Sequence, residues 1–325
     1  MEESKDTMWA VVMDEPGPEN VTVRRVPIPQ PKSGQLLVRV EAAPINPSDL
    51  GMMTSEELEY PFVPGNEGAG VVVRSGGGLL ARGFVGKRVA FTRFTGGSQK
   101  KPGGMNGTYA EYIVVDAKTT LTISDKKLDL DYAANSFVNP ATAIGLLETL
   151  KSQKARFVVQ TGAASQLARM MLRMAKDYNI TFINIVRREE QVKMLKEEYK
   201  QEFVLNSSEE TFFDQLKEVA NEHNAKHCIE CVGGSMTGRI MGRLPDGSLT
   251  YVYGCLSLEA LQAIDPRKFI YQGHRMEGWI LTKWIASKNI FQKIFLMRKI
   301  NKLLATTLSS VVAARYGIHQ TVDAI

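Results

Sequence analysis

Apolar and polar residues alternate in short runs through the first part of the chain. Val21 to Val26 alternates, Gln35 to Ala42 (QLLVRVEA) reads as a second strand, and Gly68 to Val73 and Arg88 to Phe91 read as two more. Tyr109 to Val115 closes the set. Alternation of this kind marks strands with one buried face, and the Gly and Pro residues between the runs mark turns. The first ~120 residues therefore predict a β-rich region. Gly96 to Gly107, rich in Gly and Lys and poor in apolar residues, reads as a loop.

Near Leu128 the pattern changes. Tyr132 to Lys151 has helical apolar spacing, interrupted by Pro140. From Arg156 short apolar runs alternate with amphipathic stretches. Strands are predicted at 157–160, 182–186, 203–205, 228–232 and 250–253, and helices at 164–178, 189–200 and 211–221. Repeated strand–helix units build a doubly wound parallel sheet, and strands that read as apolar throughout suit a sheet covered on both faces. A helical stretch follows from Ile285 to about Thr307. Val311 to Arg315 reads as one further strand.

The first strand–helix junction carries candidate chemistry. It reads Gly162-Ala163-Ala164-Ser165-Gln166, where a dinucleotide fingerprint would place Gly-x-Gly-x-x-Gly. Small residues still allow a tight turn, a helix N-terminus favours pyrophosphate, and Ser165 offers a hydroxyl donor. A plain strand–helix turn would look the same. The second strand ends in Arg187-Arg188, 25 residues after Gly162, near the ~20 at which NAD-binding proteins place an acidic residue for the ribose hydroxyl. Two guanidiniums instead suit a 2′-phosphate, which points to NADPH. An exposed pair opening the next helix, offset by Glu189 and Glu190, is the ordinary alternative. Val232, followed by Gly233-Gly234, and Tyr253-Gly254 end later strands, where ligands approach an open α/β sheet.

Composition narrows the class. The 325 residues are 44% apolar and 23% charged with net charge +5, values of a soluble globular chain. No apolar run approaches the ~18 residues of a membrane span. The basic residues between Lys283 and Lys302 read as a solvated helix face, a lipid-headgroup or nucleic-acid patch being the sharper alternative, and no nucleic-acid motif is present. Cys228, Cys231 and Cys255 are odd in number and sit in apolar strands, which suits a reducing compartment. Cys228 and Cys231 should face opposite sides of their strand, so a redox pair is not expected. Met1 to Met8 has neither a signal nor a transit pattern. The cytosol is the simplest address, and the mitochondrial matrix is the alternative that a removed presequence would allow.

Several segments together resemble the medium-chain dehydrogenase/reductase superfamily. They are Ala43 to Asp49, Pro64-Gly-Asn66-Glu67-Gly-Ala-Gly70, Tyr109-Ala-Glu-Tyr112, Phe137-Val-Asn139-Pro-Ala-Thr142, Thr161 to Ser165, Asn184 to Arg188 and Glu277-Gly-Trp279. Within it the chain resembles zinc-free quinone oxidoreductases and mitochondrial-type 2-enoyl thioester reductases. The resemblance implies a GroES-like β-rich catalytic domain over 1–128, completed by 285–325, and a Rossmann domain over 129–284. It implies an active site in a cleft, and a homodimer or a subunit of a larger assembly. Asn46 and Thr142 would lie near the nicotinamide, Trp279 to Leu281 would line its ring, and Arg187 and Arg188 would meet the 2′-phosphate.

Zinc-dependent relatives carry Cys or His where this chain has Asn46 to Asp49, Asn66-Glu67 and Asn139, so no zinc is expected. His223, His227, His274 and His319 match no ligand spacing. Enoyl thioester reductases use a tyrosine in the stretch equivalent to Leu50–Tyr60. Tyr60 is its single tyrosine here, at a spacing that departs from the family, and packing beside Pro61 is its alternative role. Asp49 should cap a following turn, and Glu67 reads as a structural carboxylate. Relatives continue with a helix and strand beyond the equivalent of Gln320–Ile325. Either the chain is cut short there or the catalytic domain lacks a closing strand and exposes an edge. The functional expectation is a zinc-independent, NADPH-dependent reductase of a quinone, enal or enoyl thioester. The alternative is a catalytically silent member that serves as a cofactor-binding or structural subunit.

Overall fold

The computed structural model describes residues 6–93, 104–123 and 127–325. The chain forms two compact units, one of residues Met1–Pro140 with Ala286–Ile325 and the other of Ala141–Ile285.

The first unit is built on antiparallel strands. β1 (Thr7–Met13) and β2 (Val21–Pro27) form a ribbon. β3 (Gln35–Ala42) leads to a short helix, α1 (Pro47–Met53), and then to β4 (Glu67–Ser75), α2 (Leu79–Arg82) and β5 (Arg88–Thr92). β6 (Tyr112–Asp116) and β7 (Leu121–Thr122) complete a five-stranded sheet in the order β6-β3-β4-β5-β7. Alternate residues of these strands, Leu36, Val38, Val72, Val89, Phe91, Ile113 and Val115, bury one apolar core. β1 escaped the alternation argument because Ala10 to Met13 are buried on both faces. The polar N-terminal stretch, read as far as Met8 without a signal or transit pattern, therefore overlaps the start of a strand, while residues 1–5 lie outside the described residues. So does most of the predicted loop. Its described end is tied down where the Asn106 side chain exchanges hydrogen bonds with both backbone groups of Val114.

α3 (Leu130–Ala133) and α4 (Val138–Ser152) replace the single interrupted helix expected from Tyr132. Pro140 lies in the first turn of α4, where a missing N–H removes no intrahelical bond.

In the second unit strand and helix alternate. The elements are β8 (Phe157–Gln160), α5 (Gln166–Tyr178), β9 (Thr181–Val186), α6 (Glu189–Glu197), β10 (Phe203–Asn206) and α7 (Phe212–Glu222). They continue with β11 (His227–Glu230), α8 (Gly234–Met241), β12 (Leu249–Val252), α9 (Pro266–Gln272), β13 (Arg275–Gly278) and α10 (Leu281–Ala286). All six strands are parallel, in the order β10-β9-β8-β11-β12-β13. That order reverses direction beside β8, the arrangement of the dinucleotide-binding doubly wound fold. Val159, Ile183, Leu205, Phe212, Leu216 and Cys228 form its core on one side.

Two details correct the sequence reading of these strands. They are not apolar throughout: Gln160 and Asn184 are fully buried, and the Gln160 amide donates to Asn184 Oδ1 at 2.8 Å. Cys231 lies one residue past β11, buried like Cys228, and neither forms a disulfide.

The chain returns to the first unit through α11 (Ile290–Leu303) and ends in α12 (Thr321–Ala324). The strand predicted at 311–315 is absent, and that segment is irregular. Its side chains are largely exposed, so no sheet face fixes them. Arg315 instead forms an exposed ion pair with Asp131.

Gly70 shows how closely β3 and β4 approach. A Cβ there would lie 2.0 Å from the carbonyl oxygen of Arg39, on backbone that cannot rotate away. Gly70→Ala should lower the unfolding free energy by about 3 kcal/mol. An unchanged urea midpoint would refute this close approach.

Candidate active site

In the first unit, two carboxylates are held out of water at the α1 and β4 junctions. Asp49 and Glu67 are both buried, as are Asn46, Asn66 and Tyr109 around them. Asn46 precedes Pro47 and caps α1. Its backbone N–H donates to Asp49 Oδ2 at 2.8 Å, the reciprocal half of a capping box. Asp49 was expected to cap a following turn or helix; instead it is the third residue of α1 and closes the cap back onto Asn46, and it does more. Its Oδ1 accepts from the Asn66 amide at 2.6 Å, and its Oδ2 also faces the Tyr109 hydroxyl at 3.1 Å.

Glu67 is surrounded by donors in the same way. Oε1 accepts from Asn46 Nδ2 at 3.1 Å, and Oε2 accepts from the backbone N–H groups of Phe137 and Val138 at 3.0 and 2.8 Å. A carboxylate can only accept, so it fixes the Asn46 amide with Nδ2 toward Glu67 and Oδ1 turned away. Asn139 Nδ2 lies 3.5 Å from that Oδ1. Glu67 therefore sets the orientation of Asn46 and anchors the start of α4.

Burial dominates the acidity of both groups. It raises Glu67 to about 7, despite the bonds from Val138, Asn46 and Phe137 that favour the charged form. It raises Asp49 to about 6, against the bonds from Asn46, Tyr109 and Asn66 and the charge of the nearby buried Arg93. Burial and the Asp49 charge push the Tyr109 phenol well above its ordinary value, so it stays protonated.

Tyr60 stands apart from this cluster in its bonding. Its hydroxyl donates to the Ser55 carbonyl at 3.0 Å, and its ring meets Phe62 edge-on at 6.3 Å. It packs beside Met53 and Leu58 in an apolar cluster. Desolvation raises its phenol as well.

In the second unit the parallel sheet gathers the other candidates on one rim. Gly162 to Gln166 follow β8, Arg187 and Arg188 follow β9, Val232 follows β11, Tyr253 and Gly254 follow β12, and Trp279 and Leu281 follow β13. Parallel strands point their carboxyl ends the same way, so these segments share an edge. Gly162 has φ +57°, and a Cβ there would meet Cys231 Sγ at 2.8 Å. Glycine is needed at this one point of the turn, and Ala163 and Ala164 suffice beyond it. Ser165 is the N-cap of α5: its hydroxyl oxygen accepts from the Ala168 N–H at 3.2 Å. This capping role was not anticipated.

Arg187 and Arg188 are exposed, and among the described residues neither guanidinium has an ion-pair partner. Glu189 and Glu190 therefore do not neutralise them. Their backbone N–H groups both reach Gln191 Oε1 at 3.2 Å, and Ser208 Oγ donates to the Arg187 carbonyl at 2.8 Å. The backbone of the pair is fixed while its charged ends are left to solvent. Thr142 is buried within α4. Trp279 donates through Nε1 to Thr149 Oγ1 at 3.1 Å and packs on Gly145, which leaves no room for a Cβ there.

Glu230 was not anticipated. Fully buried at the end of β11, it accepts from the N–H groups of Val232 at 2.7 Å and Gly233 at 3.2 Å. The Thr237 hydroxyl donates to it at 2.9 Å and the Thr161 hydroxyl lies 3.3 Å away. One carboxylate thus joins the turn after β8 to the turn after β11. A lone acid inside an otherwise apolar strand was the signal for it. Tyr109 gave no such signal, because a tyrosine in a strand reads as packing.

These two units define a class: an antiparallel sheet joined in one chain to a doubly wound dinucleotide-type sheet. Residues 32–125 match the alcohol dehydrogenase GroES-like domain. The mitochondrial enoyl-[acyl-carrier-protein] reductase of Arabidopsis thaliana is 28% identical over 293 residues, covering 85% of this chain and 73% of that protein. A Caenorhabditis elegans protein of the same name is 30% identical over 241 residues, covering 71% and 65%. A crystal structure provisionally assigned to an NADPH:quinone reductase of Mesorhizobium loti superposes with a TM-score of 0.86 at 25% identity, over 98% of this chain and 94% of that one. A mycobacterial structure complexed with NADPH shares the fold, with a TM-score of 0.78 at 22% identity over 98% of this chain and 94% of that one. The chain belongs to the medium-chain dehydrogenase/reductase superfamily and is an oxidoreductase.

The buried carboxylates make a testable statement about pH. A carboxyl whose folded pKa lies above its unfolded value holds its proton more tightly when folded. Stability from this source is complete below the ordinary carboxyl value of 4.5 and is lost as the pH rises through about 7 for Glu67. Unfolding free energy should therefore fall between those limits by an amount on the order of 1–3 kcal/mol. In Glu67→Gln the part of that slope between about 6 and about 7 should vanish, leaving the contribution of Asp49, which is lost by about 6. Urea titrations across the range measure it, and an unaltered slope in the variant would sink the assignment.

Proposed function

We propose that this chain is a zinc-independent, NADPH-dependent reductase of a carbon–carbon double bond conjugated to a carbonyl, with an enoyl thioester as the first acceptor to test and quinones and enals next. The observation that carries the cofactor choice is the Arg187–Arg188 pair, exposed and unneutralised at the end of β9. An acidic residue there would repel a 2′-phosphate, whereas two guanidiniums bind it in bidentate fashion. The names of the similar plant and nematode proteins favour the enoyl thioester.

Gly162, Ala163, Ala164, Ser165 and Gln166 would hold the pyrophosphate at the start of α5, where the helix dipole favours an anion. Val232, Tyr253 and Gly254 would contact the remainder along the rim, and Thr142, Trp279 and Leu281 would bound the nicotinamide. The left-handed Gly162 and the small residues after it fit a group that must approach backbone closely. NADPH, when bound, supplies the hydride. The protein is left with binding, orientation and proton supply.

Asn46 is the proposed polar contact at the reacting end. Glu67 holds its amide so that Oδ1 is turned away from the carboxylate, which suits a hydrogen-bond donor. Asparagines at positions 46, 66 and 139 replace metal-binding side chains with amides, two of which donate to Asp49 and Glu67. Both carboxylates have their oxygens occupied by donors, an arrangement that needs no cation. Tyr60 is the proposed proton donor for the enolate left after hydride addition. Its raised pKa keeps the phenol protonated, as a donor requires, but it must first release the Ser55 carbonyl.

A homodimer is proposed with this reading. β13 forms one edge of the six-stranded sheet, and Ile270 and Tyr271 just before it are exposed. The uncovered edge suits pairing with a second copy. The reducing compartment is proposed to be the cytosol or the mitochondrial matrix, the latter named for the similar reductases.

Two experiments test the proposal. NADPH oxidation should be seen with an enoyl thioester, and Arg187→Ala with Arg188→Ala should raise the NADPH KM about 100-fold while moving the NADH KM less than about three-fold. Equal effects on both cofactors would refute the 2′-phosphate role. Tyr60→Phe should lower kcat about 100-fold with little change in the NADPH KM. Full activity in that variant would remove Tyr60 from the mechanism.

A further inference from the structure

The outward face of α11 is a feature that the reductase reading leaves unused. Leu296 and Ile300 bury one side of this helix. The opposite side should be polar on a surface helix, and it is not. Ile290 is 64% exposed, Phe291 70%, Ile294 42% and Phe295 65%. Residues four apart stack along one face. Ile290, Ile294, Arg298 and Lys302 therefore form one row, with Phe291 and Phe295 in the row beside it.

Charge reinforces the pattern. The helix carries Lys293, Arg298, Lys299 and Lys302 and no acidic residue. From Gly278 to Val322 the sequence contains no Asp or Glu at all, against seven Lys and Arg. Four large apolar side chains, continued along the same face by Arg298 and Lys302, stand on a convex helix. A convex row offers no pocket to seat a peptide's side chains. A lipid interface needs none, because its acyl boundary deforms around Phe and Ile while Lys and Arg extend to the phosphates. The absence of acidic residues selects an anionic surface over a neutral one.

We propose that the α11 face docks the protein on an anionic phospholipid bilayer, with Ile290, Phe291, Ile294 and Phe295 entering the headgroup boundary and Arg298 and Lys302 contacting phosphate. This is peripheral attachment: no helix is long and apolar enough to cross a membrane among the described residues.

Sedimentation of the full chain with vesicles tests it independently of any reductase assay. Vesicles of phosphatidylcholine with one-third phosphatidylserine should bind at least about ten-fold more tightly than phosphatidylcholine alone, with binding weakened by salt. Phe291→Ser with Phe295→Ser, and separately Arg298→Glu with Lys302→Glu, should each weaken that binding about ten-fold or more. All four side chains are on the surface, and unchanged circular dichroism and melting would show that the variants fold. Failure of the wild type to sediment with anionic vesicles at low salt would overturn the proposal. So would equal binding by all three proteins. If the Phe variant loses mass in analytical ultracentrifugation while no form binds vesicles, the face belongs to a second copy and the proposal falls. Capture by an acidic protein without vesicle binding would overturn it too.

Discussion

Each unit is arranged around a carboxylate that cannot reach water. A buried carboxylate is tolerated only when donors or cations surround it. In the first unit Glu67 collects the Asn46 amide and the first N–H groups of α4, and Asp49 collects Asn66, Tyr109 and the cap of α1. In the second, Glu230 collects two N–H groups of the turn after β11 and the hydroxyls of Thr161 and Thr237. These bonds join segments far apart in sequence. Remove the acceptor and each donor is left buried without a partner, so the surrounding turns must move. The apolar cores fix where the sheets lie, and the carboxylates fix how the loops leave them.

The fold was largely legible because its periodicities are simple. Strands β3 to β6 have a buried and an exposed face, and β8 to β12 with α5 to α7 repeat a strand–helix unit. What escaped had lost its period. β1 is buried on both faces, so it shows no alternation. β13 is too short and too exposed to resemble a core strand. The segment 311–315 has a strand's composition but no sheet to join. Apolar sequence supplies the tendency, and pairing decides whether a strand forms.

The site was legible to a different degree. The residues on the rim of the second unit from Gly162 to Tyr253 follow from the rule that ligands meet strand carboxyl ends, which a sequence reader can apply directly, whereas Trp279, after the unforeseen β13, rested on the family resemblance. Glu230, Tyr109 and the double role of Asp49 depend on partners between 2 and 69 residues away. The lone acid in a strand of His, Cys, Ile and Glu marks Glu230 as unusual, but not that two turns will enclose it. Ser165 is an intermediate case. Position alone suggested a ligand donor, and the same position is that of a helix cap, whose bond to Ala168 is local and involves no other segment.

The amides at positions 46, 66 and 139 have an electrostatic consequence. A divalent cation beside Asp49 and Glu67 would hold both carboxyls ionised and low. Among the described residues Arg93 supplies a compensating charge to Asp49, and no cation is seen to do so for Glu67. The remaining cost is met by protons, and both groups are raised, Glu67 to about 7 and Asp49 to about 6. A neutral amide is also a directional partner where a cation is not. Glu67 fixes which end of Asn46 faces it, so the other end is fixed as an acceptor. The proposed reaction fits that exchange: hydride delivery from a bound nicotinamide needs a precisely placed polar contact and a protonated donor more than it needs a Lewis acid. The same amides that face the buried carboxylates thus give the site a set orientation.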